Sequence, residues 1–212
     1  MPLVVRFLGL VAAAAMVSAL RAIILPGNGC SRSIRSCNWY GWMQDRLMES
    51  GLFTEVILQV MPDPVEAKEA VWVPHVLKEF NADEMTLIIG HSSGAQACMR
   101  LLERNRLFGA VLVSACYTDL GMPSEAVSGY YSRPWRWDDI KSNAAVGLGF
   151  GIVQVHSSDD PFIPMDEAEF VHSHLDTDFY RYDDRSHFFT NEDVEELLDV
   201  IVKRVRTDRD EL

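Results

Sequence analysis

TLIIGHSSGAQA, residues 86–97, decides the fold of this chain. Its first half is a short apolar run with β-branched members, the composition of a buried strand. Its second half opens a helix, and Gly90-His91-Ser92-Ser93-Gly94 stands at the bend. Strand, Gly-X-Ser-X-Gly, helix is the setting in which a serine is held on a strained turn with its hydroxyl exposed. Glycines two residues before and two after allow strand and helix backbones to approach closely. Outside that setting the same pentapeptide would equally be a small-residue turn that packs a helix on a sheet. Ser92 is therefore a candidate nucleophile.

The rest of the chain repeats the strand-then-helix order. Residues 22–26, 55–60, 86–90, 110–115, 152–156 and 179–182 are short apolar runs bounded by Gly, Pro, Asp or Ser. Residues 40–50, 64–79, 95–104, 135–143, 165–174 and 191–206 have helical spacing, with Pro74 expected to kink or split the second and Asn191 placed to cap the last. An alternation repeated about five times implies right-handed crossovers and a mainly parallel sheet of about six strands, covered by helices on both faces. Ligands of such sheets bind at the carboxyl ends of the strands. The loops after Pro26, Val60, Gly90, Ala115, His156 and Tyr182 are thus where function is expected.

A serine hydroxyl is a weak nucleophile at neutral pH; it needs a base, and the base needs an acceptor to fix its tautomer. Both follow in the order an α/β-hydrolase uses. Asp159 and Asp160 lie after the strand at 152–156, and of the two Asp160 is favoured because Pro161 restrains its backbone. His187 lies in the loop between the last strand and the last helix. The chain order Ser92, Asp160, His187 is that of the α/β-hydrolase triad. Asp183 and Asp184 read as a solvated loop. His75, His91, His156, His172 and His174 read as packing or surface residues. Oxyanion donors are expected from the backbone of Ser93, at the helix start, and from Asn28 and Gly29 in the Pro-Gly-Asn-Gly loop after the first strand. Trp39, Trp42, Tyr130 and Trp135 flank the same crevice and are expected to line an apolar substrate pocket, with packing of a cap onto the body as the other reading.

At 212 residues with 48% hydrophobic residues and no break in composition, the chain is long enough for one sizeable core. The charge balance is 19 Lys+Arg against 31 Asp+Glu, which argues against nucleic acid and anionic membranes as partners. Phe7–Val17 (FLGLVAAAAMV) is an apolar run after one Arg, followed by small residues, and residues 1–19 read as a secretory signal peptide. The run is short for a membrane span; the alternatives are a helix packed on the body, or an upstream extension of a protein that stays in the cytoplasm. The chain ends Arg209-Asp210-Glu211-Leu212, which resembles the Lys-Asp-Glu-Leu signal that a retrieval receptor reads. Together the ends divide the chain into a signal (1–19), one hydrolase domain (20–206) and a tail (207–212), located in the endoplasmic reticulum lumen. Cys30 and Cys37 share a loop and are close enough to pair in an oxidising compartment, though spacing alone leaves the pairing open. Cys98 and Cys116 sit in apolar contexts as buried thiols. No Cys/His cluster points to a metal, and no cofactor is expected.

PGNG at 26–29, WYGW at 39–42, MPDP at 61–64, IIGHSSGA at 88–95, VLVSA at 111–115, SGY at 128–130, RPW at 133–135 and SDDPFIP at 158–164 occur in one order from about Ala22 to Arg206. By these the chain resembles the retinoblastoma-binding protein 9 family of small serine hydrolases. The resemblance implies a compact single-domain α/β-hydrolase fold, a triad on Ser92, Asp160 and His187, and cleavage of esters or amides through an acyl-enzyme. The family's Leu-X-Cys-X-Glu segment corresponds here to Phe80-Asn81-Ala82-Asp83-Glu84, which lacks the leucine and the cysteine, so retinoblastoma protein is not carried over as a partner.

The reading that results is a serine hydrolase acting on a small molecule or short peptide. Ester, thioester and amide substrates stay open, as does peptidase against carboxylesterase; Asp63 is the one carboxylate considered for holding a peptide amine. The alternative from another class is a non-catalytic scaffold that retains the fold.

Overall fold

In the computed structural model, residues 20–144 and 150–210 are described. The expected signal segment and the last two residues of the retrieval-like tail lie outside them. Six strands form one sheet: β1 (Arg21–Leu25), β2 (Glu55–Ile57), β3 (Thr86–His91), β4 (Gly109–Val113), β5 (Gly151–Ser157) and β6 (Asp178–Tyr182). Their order is β2-β1-β3-β4-β5-β6, and every neighbouring pair is parallel. Seven α-helices accompany them among the described residues: α1 (Tyr40–Glu49), α2 (Glu69–Lys78), α3 (Ser93–Leu102), α4 (Pro123–Ala126), α5 (Trp137–Asn143), α6 (Met165–Leu175) and α7 (Glu195–Asp210). None is long and apolar enough to cross a membrane.

Alternation along the strands builds two cores. In β1, Ala22 and Ile24 face one layer, where they meet Met43 and Leu47 of α1 and Leu197, Ile201 and Val205 of α7. Ile23 and Leu25 face the other, with Trp72 and Val76 of α2, Cys98 and Leu101 of α3, Ile140 of α5 and Val171 of α6. Every residue of α3 is buried, as the helix that follows the innermost strand must be when it is wrapped by its neighbours.

Several boundaries differ from expectation, the second and last helices among them. Helix α2 begins at Glu69 rather than near Pro64, because Asp63 and Ala67 adopt left-handed backbone and Asp63 accepts a hydrogen bond from the Lys68 N–H, closing a separate turn. Pro74 then sits inside an unbroken helix: it removes one early backbone bond, and the packing of Trp72 and Val76 holds the helix on the sheet. The last helix starts after a 3₁₀ turn (Glu192–Val194) and runs to Asp210, past the expected domain end at 206.

The sheet order reverses at β1 and β3, so their loops leave in opposite directions and open a crevice. That crevice is closed to close-packing distance by glycine. A Cβ on Gly94 would collide with the Leu25 and Pro26 carbonyls, and one on Gly90 would collide with the Gly94 carbonyl and with Cys98 Sγ. Gly94→Ala is therefore expected to lower the urea unfolding free energy by about 3 kcal/mol or more. Gly51→Ala, with left-handed φ but open space around it, should cost about 1–2 kcal/mol. Equal losses at the two positions would contradict this account of the crevice.

Candidate active site

Ser92 stands between β3 and α3 with φ 53° and ψ −123°, a region that costs a non-glycine residue on the order of 1–3 kcal/mol. The strain is held from both sides: its N–H donates to the Val113 carbonyl at 2.9 Å, and its own carbonyl accepts from Ala95 N–H at 2.7 Å. The side chain is thereby turned out of the helix into a cavity of about 490 Å³. Gly27 of the first loop comes so near that a Cβ there would lie 3.3 Å from Ser92 Cβ.

Asp160 and His187 reach the same cavity from the loops after β5 and β6. His187 Nδ1 and Asp160 Oδ2 are 2.8 Å apart, with Asp160 fully buried and the histidine nearly so. The carboxylate is completely engaged. Ser114, at the end of β4, donates its hydroxyl to Oδ2 (2.9 Å), and Phe162 and Ile163 donate backbone N–H groups to Oδ1 (2.9 and 3.1 Å). Burial pushes this carboxyl up, but the imidazole and the two N–H donors outweigh it, and Asp160 is held below the ordinary carboxylate range. Ser92 and His187 both line the cavity. Among the described residues no hydrogen bond within 3.5 Å joins the two side chains.

The loop that carries His187 is fixed at four points. Arg185 N–H donates to Ser157 Oγ (3.0 Å) and Ser186 N–H to Asp159 Oδ1 (2.8 Å). The His187 carbonyl meets His91 Nε2 (2.9 Å), and the Phe188 carbonyl accepts from Trp39 Nε1 (2.9 Å). Ser186 and Phe188 adopt left-handed backbone on either side of the histidine. Asp159 is thus a support for the base loop rather than the partner of the imidazole, which separates the two adjacent aspartates by role.

His91, expected as a packing residue, is a strut. The Tyr40 hydroxyl accepts from Gly27 N–H (2.9 Å) and Asn38 Nδ2 (3.2 Å), so its own proton goes to His91 Nδ1, 2.6 Å away. His91 must then carry its proton on Nε2 and donate it to the His187 carbonyl. Burial, followed by the nearby His187, lowers the His91 pKa to about 3, and burial raises that of Tyr40 to about 12. Both stay neutral near pH 7, and together they tie the first loop to the base loop across the elbow.

Around this centre several sequence expectations need correction. Gly29 cannot serve as an oxyanion donor, because its N–H is committed to the Pro64 carbonyl at 2.7 Å and its φ of +88° makes it a turn residue. Gly27 N–H is likewise taken by Tyr40. Asn28 lines the cavity, and Ser93 occupies the first helical position of α3, where a backbone N–H has no intrahelical acceptor. Trp39, Trp42, Tyr130 and Trp135 do not line the cavity. Trp39 and Tyr130 are fully buried and Trp42 packs on the α1 side of the sheet. Trp135 lies over the buried guanidinium of Arg100 (3.7 Å) and donates Nε1 to the Tyr117 carbonyl. Arg100 also donates to the Tyr130 and Arg133 carbonyls and pairs with Glu103, so the 130–135 segment is stapled to α3 and the aromatics there are packing. Asp63 is spent in its own turn.

In their place the cavity is lined by Leu120, Met122, Glu125, Cys116, Phe162 and Phe189, together with Cys30 and Cys37. The latter two are joined by a disulfide with Cα atoms 6.1 Å apart, the bond an oxidising compartment permits. Glu125 lies within 3.5 Å of Asn28 Nδ2, and burial raises its pKa. The pKa of Cys116 is raised to about 12, chiefly by burial, so its thiol stays protonated near pH 7. Their signal in the sequence was adjacency: Phe162 and Phe189 each lie two residues beyond a triad candidate. No cluster of His, Cys, Asp or Glu among the described residues is arranged to hold a metal.

Comparison with known proteins bears on the family and the fold. A family model described as serine hydrolase matches residues 22–202. The rat (Rattus norvegicus) serine hydrolase RBBP9 is 42% identical over 186 residues, 88% of this chain and 96% of its own length. Among solved structures, the ydeN gene product of B. subtilis superimposes with a TM-score of 0.73 at 21% identity, covering 89% of this chain and 100% of its own. A monoacylglycerol lipase of Paleococcus ferrophilus does so with 0.59 at 15% identity, covering 89% and 94%. These likenesses establish the α/β-hydrolase fold.

The strut gives a pH dependence of known sign. In the unfolded chain His91 titrates near 6.5 and in the folded protein near 3, so between those values the unfolded state binds the extra proton and stability falls as pH falls. Moving from pH 7 to pH 5 should remove about 2 kcal/mol through this group alone, seen as a lower urea midpoint. His91→Phe should lower the midpoint at pH 7 and flatten its slope over that window; an unchanged slope would contradict the assignment.

Proposed function

The chain belongs to the serine hydrolase family and is a hydrolase; on that premise we propose that it cleaves small ester, thioester or amide substrates through an acyl-enzyme on Ser92. In this reading the substrate carbonyl enters the cavity above the elbow. Ser92 Oγ attacks it while His187 Nε2 takes the hydroxyl proton, and the Asp160 carboxylate holds Nδ1–H and stabilises the imidazolium. The carbonyl becomes an oxyanion received by the Ser93 and Asn28 N–H groups, the first of them reinforced by the positive end of α3. The imidazolium returns its proton to the leaving alcohol, thiol or amine as the C–O, C–S or C–N bond breaks. Water, deprotonated by the same imidazole, then attacks the acyl-enzyme and restores Ser92.

The observation that carries this reading is the 2.8 Å contact between His187 and a buried Asp160 whose remaining capacity is filled. A buried ion pair is poor value for stability alone, and here four separate contacts are spent on placing the loop that bears the imidazole. Combined with a strained serine opening into the same cavity, it has a ready use as an acid–base–nucleophile relay.

A fluorophosphonate probe should label the purified protein at Ser92, and Ser92→Ala should abolish labelling without loss of fold. Asp160→Asn should reduce kcat by about ten-thousandfold, the scale on which loss of a triad acid acts. A folded wild-type protein that takes no label, or Asp160→Asn with near-normal turnover, would overturn the reading.

A further inference from the structure

Of the large apolar residues left exposed, Phe162 and Phe189 are the two that line the cavity of Ser92. Each is a large apolar side chain left about half in solvent, 55% and 43% exposed. Their rings stand at 5.0 and 5.6 Å from the His187 ring, centroid to centroid, and 6.2 Å from each other, with Phe162 nearly perpendicular to both. The imidazole is therefore flanked by an apolar corner open toward solvent.

These rings are not free to drift away. Phe162 N–H is bonded to Asp160 Oδ1, the carboxylate that holds the imidazole. Phe189 directly follows Phe188, whose ring is buried and whose carbonyl is fixed by Trp39. The two side chains are thus mounted on the same backbone segments that place the acid and the base, and their distance from the reacting atoms is set with the same accuracy.

This placement has a chemical meaning that rests on the acyl-enzyme reading above. In acyl transfer the imidazole protonates the departing group, so whatever flanks the imidazole on its solvent side faces the alcohol or amine that leaves. The acyl part is then left the rest of the cavity, lined by the first loop and by Leu120, Met122 and Glu125. We infer that Phe162 and Phe189 form a leaving-group subsite that selects substrates whose alcohol or amine portion is apolar and bulky, alkyl or aryl. Among the described residues lining the cavity none is Lys or Arg, and the one carboxylate, Glu125, is held by Asn28 of the first loop, so an anionic leaving group finds no cationic side chain there. Because the corner is open on one side, selection should rise with apolar area instead of cutting off at a fixed length.

The test is a panel of esters with one acyl group and unbranched primary alcohols from ethyl to hexyl, whose intrinsic leaving abilities are nearly equal. For the wild type, kcat/KM for the hexyl ester should exceed that for the ethyl ester by about tenfold, short of the several-hundredfold that full burial of four methylenes would give. In Phe162→Ala/Phe189→Ala the ratio should fall to about twofold, while the ratio between short and long acyl chains on one alcohol persists. Retained fluorophosphonate labelling shows that the variant is folded with a live site, and the single variants Phe162→Leu and Phe189→Leu should give intermediate ratios. A wild-type ratio near one, or an undiminished ratio in a labelled double variant, overturns the subsite. Absence of labelling in the wild type would instead overturn the hydrolase chemistry on which it rests.

Discussion

No side chain fits between the first turn of α3 and the end of β1. The Gly94 and Gly90 positions lie against backbone carbonyls, and Gly27 lies against the Ser92 side chain. This contact, closer than any Cβ allows, forces the chain at Ser92 into left-handed backbone, because strand and helix cannot otherwise meet so tightly. The burial of all ten residues of α3 and the hydrogen bonds to the Ser92 backbone oppose the strain. The rest of the site is arranged around that fixed point. The crevice exists because β1 and β3 diverge in topology, and its depth is set by glycine.

From the elbow outward, the supports run through buried polar groups. His91, beside the serine in sequence, joins the Tyr40 hydroxyl and the His187 carbonyl, so the first loop and the His187 loop keep their separation through one neutral ring. Trp39 and Asp159 hold the base loop on either side, and Ser114 holds the acid from the end of the neighbouring strand. Each of these groups is satisfied, which is the condition under which a buried polar network adds rigidity rather than cost. Of the three triad candidates only the Asp160 side chain carries several of these contacts itself. The loop that carries His187 is held through backbone groups of residues 185–188.

The sequence disclosed the frame well, because alternating apolar runs separated by amphipathic ones report directly on a parallel sheet, and a serine, an aspartate and a histidine after three such runs report on one rim. It disclosed the lining poorly. Aromatic composition near the crevice suggested Trp39, Trp42, Tyr130 and Trp135, yet a tryptophan in a core and a tryptophan in a pocket have the same sequence signal. Only the buried Arg100 with its carbonyl partners decides the matter for residues 130–135. Gly29 was misjudged for a similar reason: glycine at a loop marks conformational need, while the commitment of its N–H to Pro64 is a long-range fact. His91 was undervalued because a histidine's role depends on which groups reach its two nitrogens, and Tyr40 and the His187 loop are remote in sequence.

The central claim is that three loops deliver a hydroxyl, an imidazole and a carboxylate to one point, with oxyanion donors beside them. It is tested most directly by a crystal structure of the protein inactivated with a phosphonate that mimics the tetrahedral intermediate. The account predicts phosphorus on Ser92 Oγ, its non-bridging oxygen within hydrogen-bond distance of the Ser93 and Asn28 N–H groups, and His187 Nε2 within reach of Oγ while Nδ1 keeps Asp160. A phosphonyl oxygen left in solvent, or an imidazole turned away from Ser92 in the adduct, would contradict it.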